Sequence, residues 1–300
     1  MAYTVFDALR AGFRRVVIVT RPPLRAPLEA RLGKQLGAGL PLDWVYQDVA
    51  AVPEAHASKA TARAKPWGTG QAVVACGDYL PGAFGIANGD DWYGPEALTA
   101  LADALSSLSP APPCRGVLVG FPMAATLPPG GAGVSRGWVQ TRDGAVRSVL
   151  ELRDTARGRT PAPSDEPPEA GGRRAAGGPI TGTDPGGASI SVPEEAWASM
   201  NLWGFGPCAL PLLSSAFDGF LAREGEDPEA EFALSSAVDS LIADHSLSLD
   251  LLPEGRRWFG ITHPGDASWV AERLRRLHDD GTYPTSFPDA VRAILSELAP

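Results

Sequence analysis

Apolar positions set the first outline of the fold. In residues 4–11 they fall at helical spacing, with Val5, Ala8 and Leu9 on one face and Gly12 placed to close the helix. Val16–Thr20 is a continuous β-branched run, the pattern of a strand covered on both faces. The alternation continues with a helix near 26–36, a strand at 42–47, a helix after Gly68 and a strand at 84–88. Pro95 opens a further helix to about Leu105, and 116–121 reads as another buried strand. This rhythm predicts an α/β fold with a mostly parallel central sheet and helices on both faces. A helix comes before the first of these strands, so the customary opening strand of such a domain is not among these residues.

Residues 137–140 and 146–151 flank Asp143-Gly144, the strongest short hairpin signal, and add an antiparallel part to the sheet. From 155 to 188 Ile180 is the only large aliphatic or aromatic residue, which predicts a flexible Gly/Pro-rich insertion within a single domain spanning 1–300. Order resumes with a strand at 198–205, helices at 207–223 and 229–243, and strands at 247–251 and 258–262. A helix capped by Asp266 runs to about Leu277, and a last helix starts at Pro288.

Composition narrows the classes. Hydrophobic residues at 44% and charged residues at 20% are ordinary for a folded chain and exclude wholesale disorder. The formal net charge of −9, with no basic stripe, argues against a nucleic-acid partner. No run reaches the ~18 apolar residues that span a bilayer, and the N-terminus lacks the pattern of a signal peptide, so neither a membrane nor export is expected and the protein is placed in the cytoplasm. Cys76, Cys114 and Cys208 are odd in number and far apart, which predicts buried small side chains rather than disulfides or zinc ligands. Only Lys34, Lys59 and Lys65 are lysines, a bias toward arginine that pervades the chain.

Two segments could carry chemistry. Gly68-Thr69-Gly70-Gln71 opens a helix after a strand end, where backbone N–H groups can approach a ligand closely. Asn88-Gly89-Asp90-Asp91 ends the 84–88 strand, and carboxylates there suit Mg²⁺, which takes one or two carboxylates and completes its shell with phosphate oxygens and water. The plainer readings are a structural turn and an Asx turn leading into Pro95.

In order, Phe6-Asp7-Ala8-Leu9-Arg10-Ala11-Gly12-Phe13, Lys65 to Ala72, Ile86 to Gly94, Ser199-Met200-Asn201-Leu202-Trp203-Gly204-Phe205 and Arg257-Trp258-Phe259-Gly260-Ile261-Thr262 resemble the bacterial sugar-phosphate nucleotidyltransferases, the nucleotide-sugar pyrophosphorylases of glycosyltransferase-A-like, Rossmann-like fold. The resemblance implies that Gln47, Gly68, Thr69, Gly70, Gln71 and Gly89 bind the nucleotide. It implies that Asp90, with Asp91 beside it, is the catalytic Mg²⁺ aspartate and that Glu151 and Asn201 contact the sugar. Two departures accompany it. The family's opening strand and G-x-G-x-R phosphate loop fall before Met1, and Gly260 stands where many members carry a second metal-binding aspartate, for which Asp266 is the possible substitute.

The activity implied is transfer of a nucleotidyl group from an NTP to a sugar 1-phosphate, with release of pyrophosphate. A non-catalytic nucleotide-sugar-binding module and a glycosyltransferase of the same fold are the alternatives.

Overall fold

The computed structural model describes residues 1–61, 63–109, 113–128, 131–158, 178–260 and 266–298. Helix α1 (Ala2–Arg10) buries Val5, Phe6 and Leu9, and Gly12 closes it at φ +97°. There Gly12 N–H bonds Leu9 O at 3.0 Å and Phe13 N–H bonds Ala8 O at 3.1 Å, the paired bonds of a Schellman ending. Strand β1 (Val16–Thr20) follows, then α2 (Pro22–Leu36) and β2 (Leu42–Tyr46), which lies parallel to β1. Helix α2 starts ahead of the expected point because its Pro-Pro pair fits a first helical turn. The first half is completed by α3 (Ala57–Thr61), α4 (Thr69–Val74), β3 (Phe84–Ile86), β4 (Asp91–Trp92), α5 (Pro95–Ser106) and β5 (Cys114–Pro122).

The second half starts with strands β6 (Val134–Arg142), β7 (Ala145–Arg157), β8 (Ile180–Thr183), β9 (Ser189–Val192) and β10 (Trp197–Phe205). It ends with α6 (Ala209–Glu224), α7 (Leu234–Ala243), β11 (Leu247–Leu252), β12 (Phe259–Gly260), α8 (Asp266–Asp279) and α9 (Phe287–Leu298). Asp143 and Gly144 turn the β6–β7 hairpin at φ 54° and 79°, both in the region such a turn requires.

The fold is mixed α/β, but the expectation of a mostly parallel central sheet fails. The main sheet runs β11-β5-β10-β6-β7-β8-β9 with β3 on β10, and a pairing of Asp250 with Ala145 links β11 to β7 and closes five strands into a ring. Among the described residues only β11–β5 and the separate β1–β2 pair are parallel. The misreading has a physical cause: an apolar run reports burial on both faces, not strand direction. Val117, Val119 and Phe121 of β5 pack with Ala198, Met200 and Leu202 of β10 toward α5. On the other face Leu118, Trp203, Phe205 and Leu249 pack toward α6 and α7, so helices do cover both faces. A third cluster joins α1, α2 and β1 to α8 and α9.

Both ends of the segment expected as an insertion, 155–188, carry strand structure. Thr155 to Arg157 continue β7, and Ile180–Thr183 pairs antiparallel with it and with β9, burying Ile180 and Thr155. Backbone pairing compensates for the scarcity of large side chains there; residues 159–177 lie outside the described set.

The cysteine expectation also fails. Cys114, at the start of β5, and Cys208, just before α6, are joined in a disulfide with Cα atoms 5.6 Å apart, while Cys76 is a buried free thiol. Sequence spacing is blind to this pairing because β10 folds back antiparallel on β5 and brings the two ends together. Thiol titration of the denatured protein is expected to count one group without reductant and three with it. Reduction should lower the unfolding free energy by about 2–4 kcal/mol; three thiols in the untreated protein would refute the cross-link. No helix among the described residues is long and apolar enough to cross a membrane.

Candidate functional site

The Asn88 turn carries the acidic residues at the carboxyl end of β3. Asp91 is buried, whereas Asp90 is exposed. Asn88 Nδ2 donates to Asp91 Oδ2 at 2.9 Å. The buried Tyr93 hydroxyl lies 3.2 Å from the same oxygen and 2.8 Å from Met200 O, and accepts from Asn88 N–H at 3.0 Å. Burial raises the Asp91 pKa, Asn88 opposes the rise, and the charge of Asp90 adds to it. This carboxylate is held by Asn88 and Tyr93, and Tyr93 is anchored in turn on β10.

Gly260 of β12 pairs with Asp91 of β4, and Trp92 stacks on Phe259 with ring centroids 4.5 Å apart. A Cβ at position 260 would overlap Asp91 Oδ1. Glycine there is therefore what gives the Asp91 carboxylate its room. A Gly260→Ala variant is expected to unfold about 1–3 kcal/mol more easily, because the added methyl group overpacks a closed contact. An unchanged urea midpoint would mean that Asp91 swings aside freely. Of the expected 258–262 strand, Trp258 lies just ahead of β12, whereas 261, 262 and the side chain of Asp266 lie outside the described residues.

Glu151 and Asn201 come to the same region by different routes. Glu151 of β7 pairs with Gly137 of β6, which pairs in turn with Ser199 of β10, so the three lie in one row across the sheet. Asn201 sits in the irregular middle of β10, between Ser199 and Trp203, with φ +59°, a conformation asparagine tolerates better than most residues. Its Oδ1 accepts from Trp203 Nε1 at 3.3 Å.

Sequence reasoning missed Arg136. Its guanidinium donates to Thr126 O, lies 5.0 Å from the Trp258 ring centroid, and interacts electrostatically with Asp91 and Glu151. Partial burial raises the Glu151 pKa, and Arg136 opposes that rise. In a chain this rich in arginine nothing in the sequence distinguishes it. Tyr93 was missed because its role depends on the distant Met200 carbonyl.

The glycine turn is built differently from the expectation. Gly68 stands at φ +113°, and a Cβ on it would lie 2.7 Å from Phe232 O. Gly70 N–H donates to that oxygen at 2.9 Å, Phe232 N–H donates to Trp67 O at 2.6 Å, and Leu234 N–H donates to Thr69 Oγ1 at 3.0 Å. Close approach of the Phe232 backbone therefore explains both glycines, and the Gly70 amide is already partnered.

Glutamines, not backbone amides, are the polar groups this turn assembles. Gln47, at the end of β2, donates from Nε2 to Gly68 O at 2.8 Å. Gln71 is 1% exposed; its Nε2 lies 3.3 Å from Asp48 O and its Oε1 is buried with no partner. A cleft of about 620 Å³ between β1, β3, α1 and α4 touches both Thr69 and Asn88-Gly89, so the two predicted segments border one space.

Among the described residues no group of three or more His, Cys, Asp or Glu side chains could enclose a metal ion. Of the two adjacent carboxylates, that of Asp90 is exposed and that of Asp91 is buried with Oδ2 engaged by Asn88 and Tyr93.

No family model matches the chain, and no curated protein matches it in sequence. Among solved structures it is similar to a UDP-glucose pyrophosphorylase complexed with UDP-glucose, over 92% of this chain and 86% of that one, at 10% identity and a TM-score of 0.48.

Proposed function

We propose that the protein is a nucleotidyltransferase that moves a nucleoside monophosphate from a nucleoside triphosphate onto a sugar 1-phosphate and releases pyrophosphate. The observation that carries this reading is the charged cluster at the end of β3. There Arg136 interacts electrostatically with the buried Asp91 and with Glu151, Asp90 stands exposed beside Asp91, and Asn88 and Gly89 of the same turn line a cleft whose wall also carries Thr69. In the reaction a sugar-phosphate oxygen attacks the α-phosphorus in line, and the bond to the β-phosphate oxygen breaks, its electron pair leaving with pyrophosphate. Such a transfer rests on positioning and charge stabilisation and needs no nucleophilic side chain.

Each residue has a role consistent with its surroundings. Gln47 and Gln71 are the side chains this reading assigns to the base; Gln71 Oε1 is buried without a partner in the fold. Glu151 and Asn201 take the sugar hydroxyls; Trp203 engages Asn201 Oδ1 and leaves its amide nitrogen to donate. Asp90 and Asp91 would hold Mg²⁺, which when bound neutralises charge on the triphosphate. Gly89 keeps the turn slim where it meets Met1.

An assay of pyrophosphate release from a panel of nucleoside triphosphates and sugar 1-phosphates with Mg²⁺ tests the reading. Asp90→Ala is expected to lower the rate about 100-fold or more, since an ion contributes several kcal/mol to such a transition state. Undiminished release would remove Asp90 from the site.

The alternative reading is nucleotide-sugar binding without turnover. Saturable calorimetric binding of a nucleotide sugar, with no pyrophosphate released on any substrate pair, would select it.

A further inference from the structure

Arg136 stands on β6, one position ahead of Gly137, whose row across the sheet carries Glu151 and Ser199. Its side chain is half-buried and held by a fixed wall. Nε and Nη2 donate to Thr126 O at 3.2 and 2.6 Å, and Nη1 donates to Ser135 O at 2.7 Å. Thr126 is itself buried at the end of the Met123–Thr126 turn, and its hydroxyl donates to Met123 O at 2.8 Å. On another side Arg136 Cζ lies over the Trp258 ring, 5.0 Å from its centroid. A long side chain normally loses rotamer freedom when it binds a ligand; this one has already lost it in the fold.

These contacts leave donors over. A guanidinium has five N–H groups, with a pair on each terminal nitrogen. One N–H of Nη1 and one of Nη2 meet no acceptor among the described residues. Trp258 Nε1, close enough to the Asp91 carboxyl to favour its charged form, is likewise buried without a hydrogen-bond partner. Asp91 and Glu151 both act on Arg136 electrostatically, yet among the described residues neither joins it in an ion pair. A partly buried cation with spare donors, drawn toward two carboxylates and paired with neither, is suited to receive an anion.

Which anion follows from what stands on either side. In the transferase reading, on which this assignment rests, Asp90 and Asp91 would hold Mg²⁺, and Glu151 and Asn201 take the sugar hydroxyls. Between a sugar and the acidic turn, the group of the acceptor that comes next is its 1-phosphate. Its charge has the same sign as the carboxylates it approaches, so a cation is needed at that point. We propose that Arg136 binds the phosphate of the sugar 1-phosphate through its two spare N–H groups, orienting the attacking oxygen and making the site select phosphorylated acceptors. The nucleoside triphosphate does not depend on this contact.

Steady-state kinetics on the substrate pair that supports pyrophosphate release provide the first test. Arg136→Gln is expected to raise the KM for the sugar 1-phosphate about tenfold or more, the loss of a charged hydrogen bond, with little change in the KM for the nucleoside triphosphate. Arg136→Lys keeps the charge without the fork and should fall between the two. Arg142→Gln, on the exposed β6–β7 hairpin, should leave both constants as they are. Both KM values rising together in Arg136→Gln would show a structural role only and overturn the proposal, as would an unchanged KM for the sugar 1-phosphate. The second test needs no turnover: orthophosphate is titrated into the native protein while the arginine side chains are followed in a ¹H–¹⁵N spectrum. The Arg136 Nε signal, recognised by its loss in Arg136→Lys, is expected to shift saturably. A shift with no pyrophosphate released on any substrate pair would keep the anion site and discard the transferase. Release without a shift, or neither, would overturn the assignment of Arg136, so the two failures are told apart.

Discussion

Gly68→Ala is expected to lower the unfolding free energy by about 3 kcal/mol or more, combining an unfavourable backbone with an overpacked contact. At φ +113° an alanine is strained by its own Cβ, and that Cβ would lie 2.7 Å from the Phe232 carbonyl oxygen, a backbone atom that cannot rotate away. The Phe232 carbonyl also receives the Gly70 N–H, so pushing it out breaks the bond that opens α4. The comparison that isolates the effect is Gly144→Ala, also at positive φ but with open space around it. Its loss is expected to stay near 1 kcal/mol, the strain of the backbone alone. Equal denaturant midpoints for the two variants would show that the Phe232 segment yields and that the tight approach has no energetic weight.

Stability should also fall as pH rises from about 4 to 6, and Asp7 should be the main reason. Its side chain, 1% exposed, is held between Arg10 at 2.8 Å and the Tyr283 hydroxyl at 2.6 Å, and Trp92 Nε1 donates to that hydroxyl at 2.7 Å. Burial raises its pKa from 3.8 to about 6 despite the opposing Arg10 charge and Tyr283 bond. A folded-state pKa above the unfolded one means that the folded protein binds the extra proton. The contribution is therefore complete below pH 3.8 and lost as pH passes through about 6. The span is about 3 kcal/mol. Asp239, also pushed to about 6 by burial, adds a smaller change of the same sign because water screens it in part. Urea unfolding of the native protein and of Asp7→Asn between pH 4 and 7 tests this. The amide still accepts from Tyr283, so the variant should keep the fold and lose most of the slope; parallel curves would exonerate Asp7.

Local pattern was enough for most elements. Val16–Thr20, the Asp143-Gly144 hairpin and the Gly12 helix ending were legible because each depends on neighbours a few residues away. The antiparallel course of the main sheet was not, since β5 and β10 look alike whichever way they run. Nor was the β8–β9 pair, which has little apolar content and is held by backbone pairing. At the site, Asp90, Asp91, Glu151 and Asn201 were named from the sequence and lie in one region of the fold. What was hidden is what fixes them: Tyr93 reaching Met200 across the sheet, Arg136 between two carboxylates, and the Asp91 side chain filling space left by Gly260. The glycines of the 68–70 turn were found for the wrong reason, because their constraint comes from Phe232, more than 160 residues away in the chain.

The middle of β10 holds slack. Met200, Asn201 and Leu202 occupy a stretch that faces Val119 alone on β5. Surplus of this kind can in principle travel along a ladder, like a dislocation creeping through a crystal, as one pairing after another lets go and re-forms. Here both exits are blocked. Beyond one end the ladder passes Gly204 against Val117 and Phe205 against Gly116, where a Cβ on Gly116 would come within 2.8 Å of the Gly204 carbonyl oxygen, and then meets the Cys114–Cys208 cross-link. Beyond the other, Met123 N–H is tied to Ala196 O at 2.8 Å. The dislocation is pinned, and with it the carbonyl that Tyr93 grips and the side chain of Asn201; opening the cross-link would free one exit and let this end of the site drift.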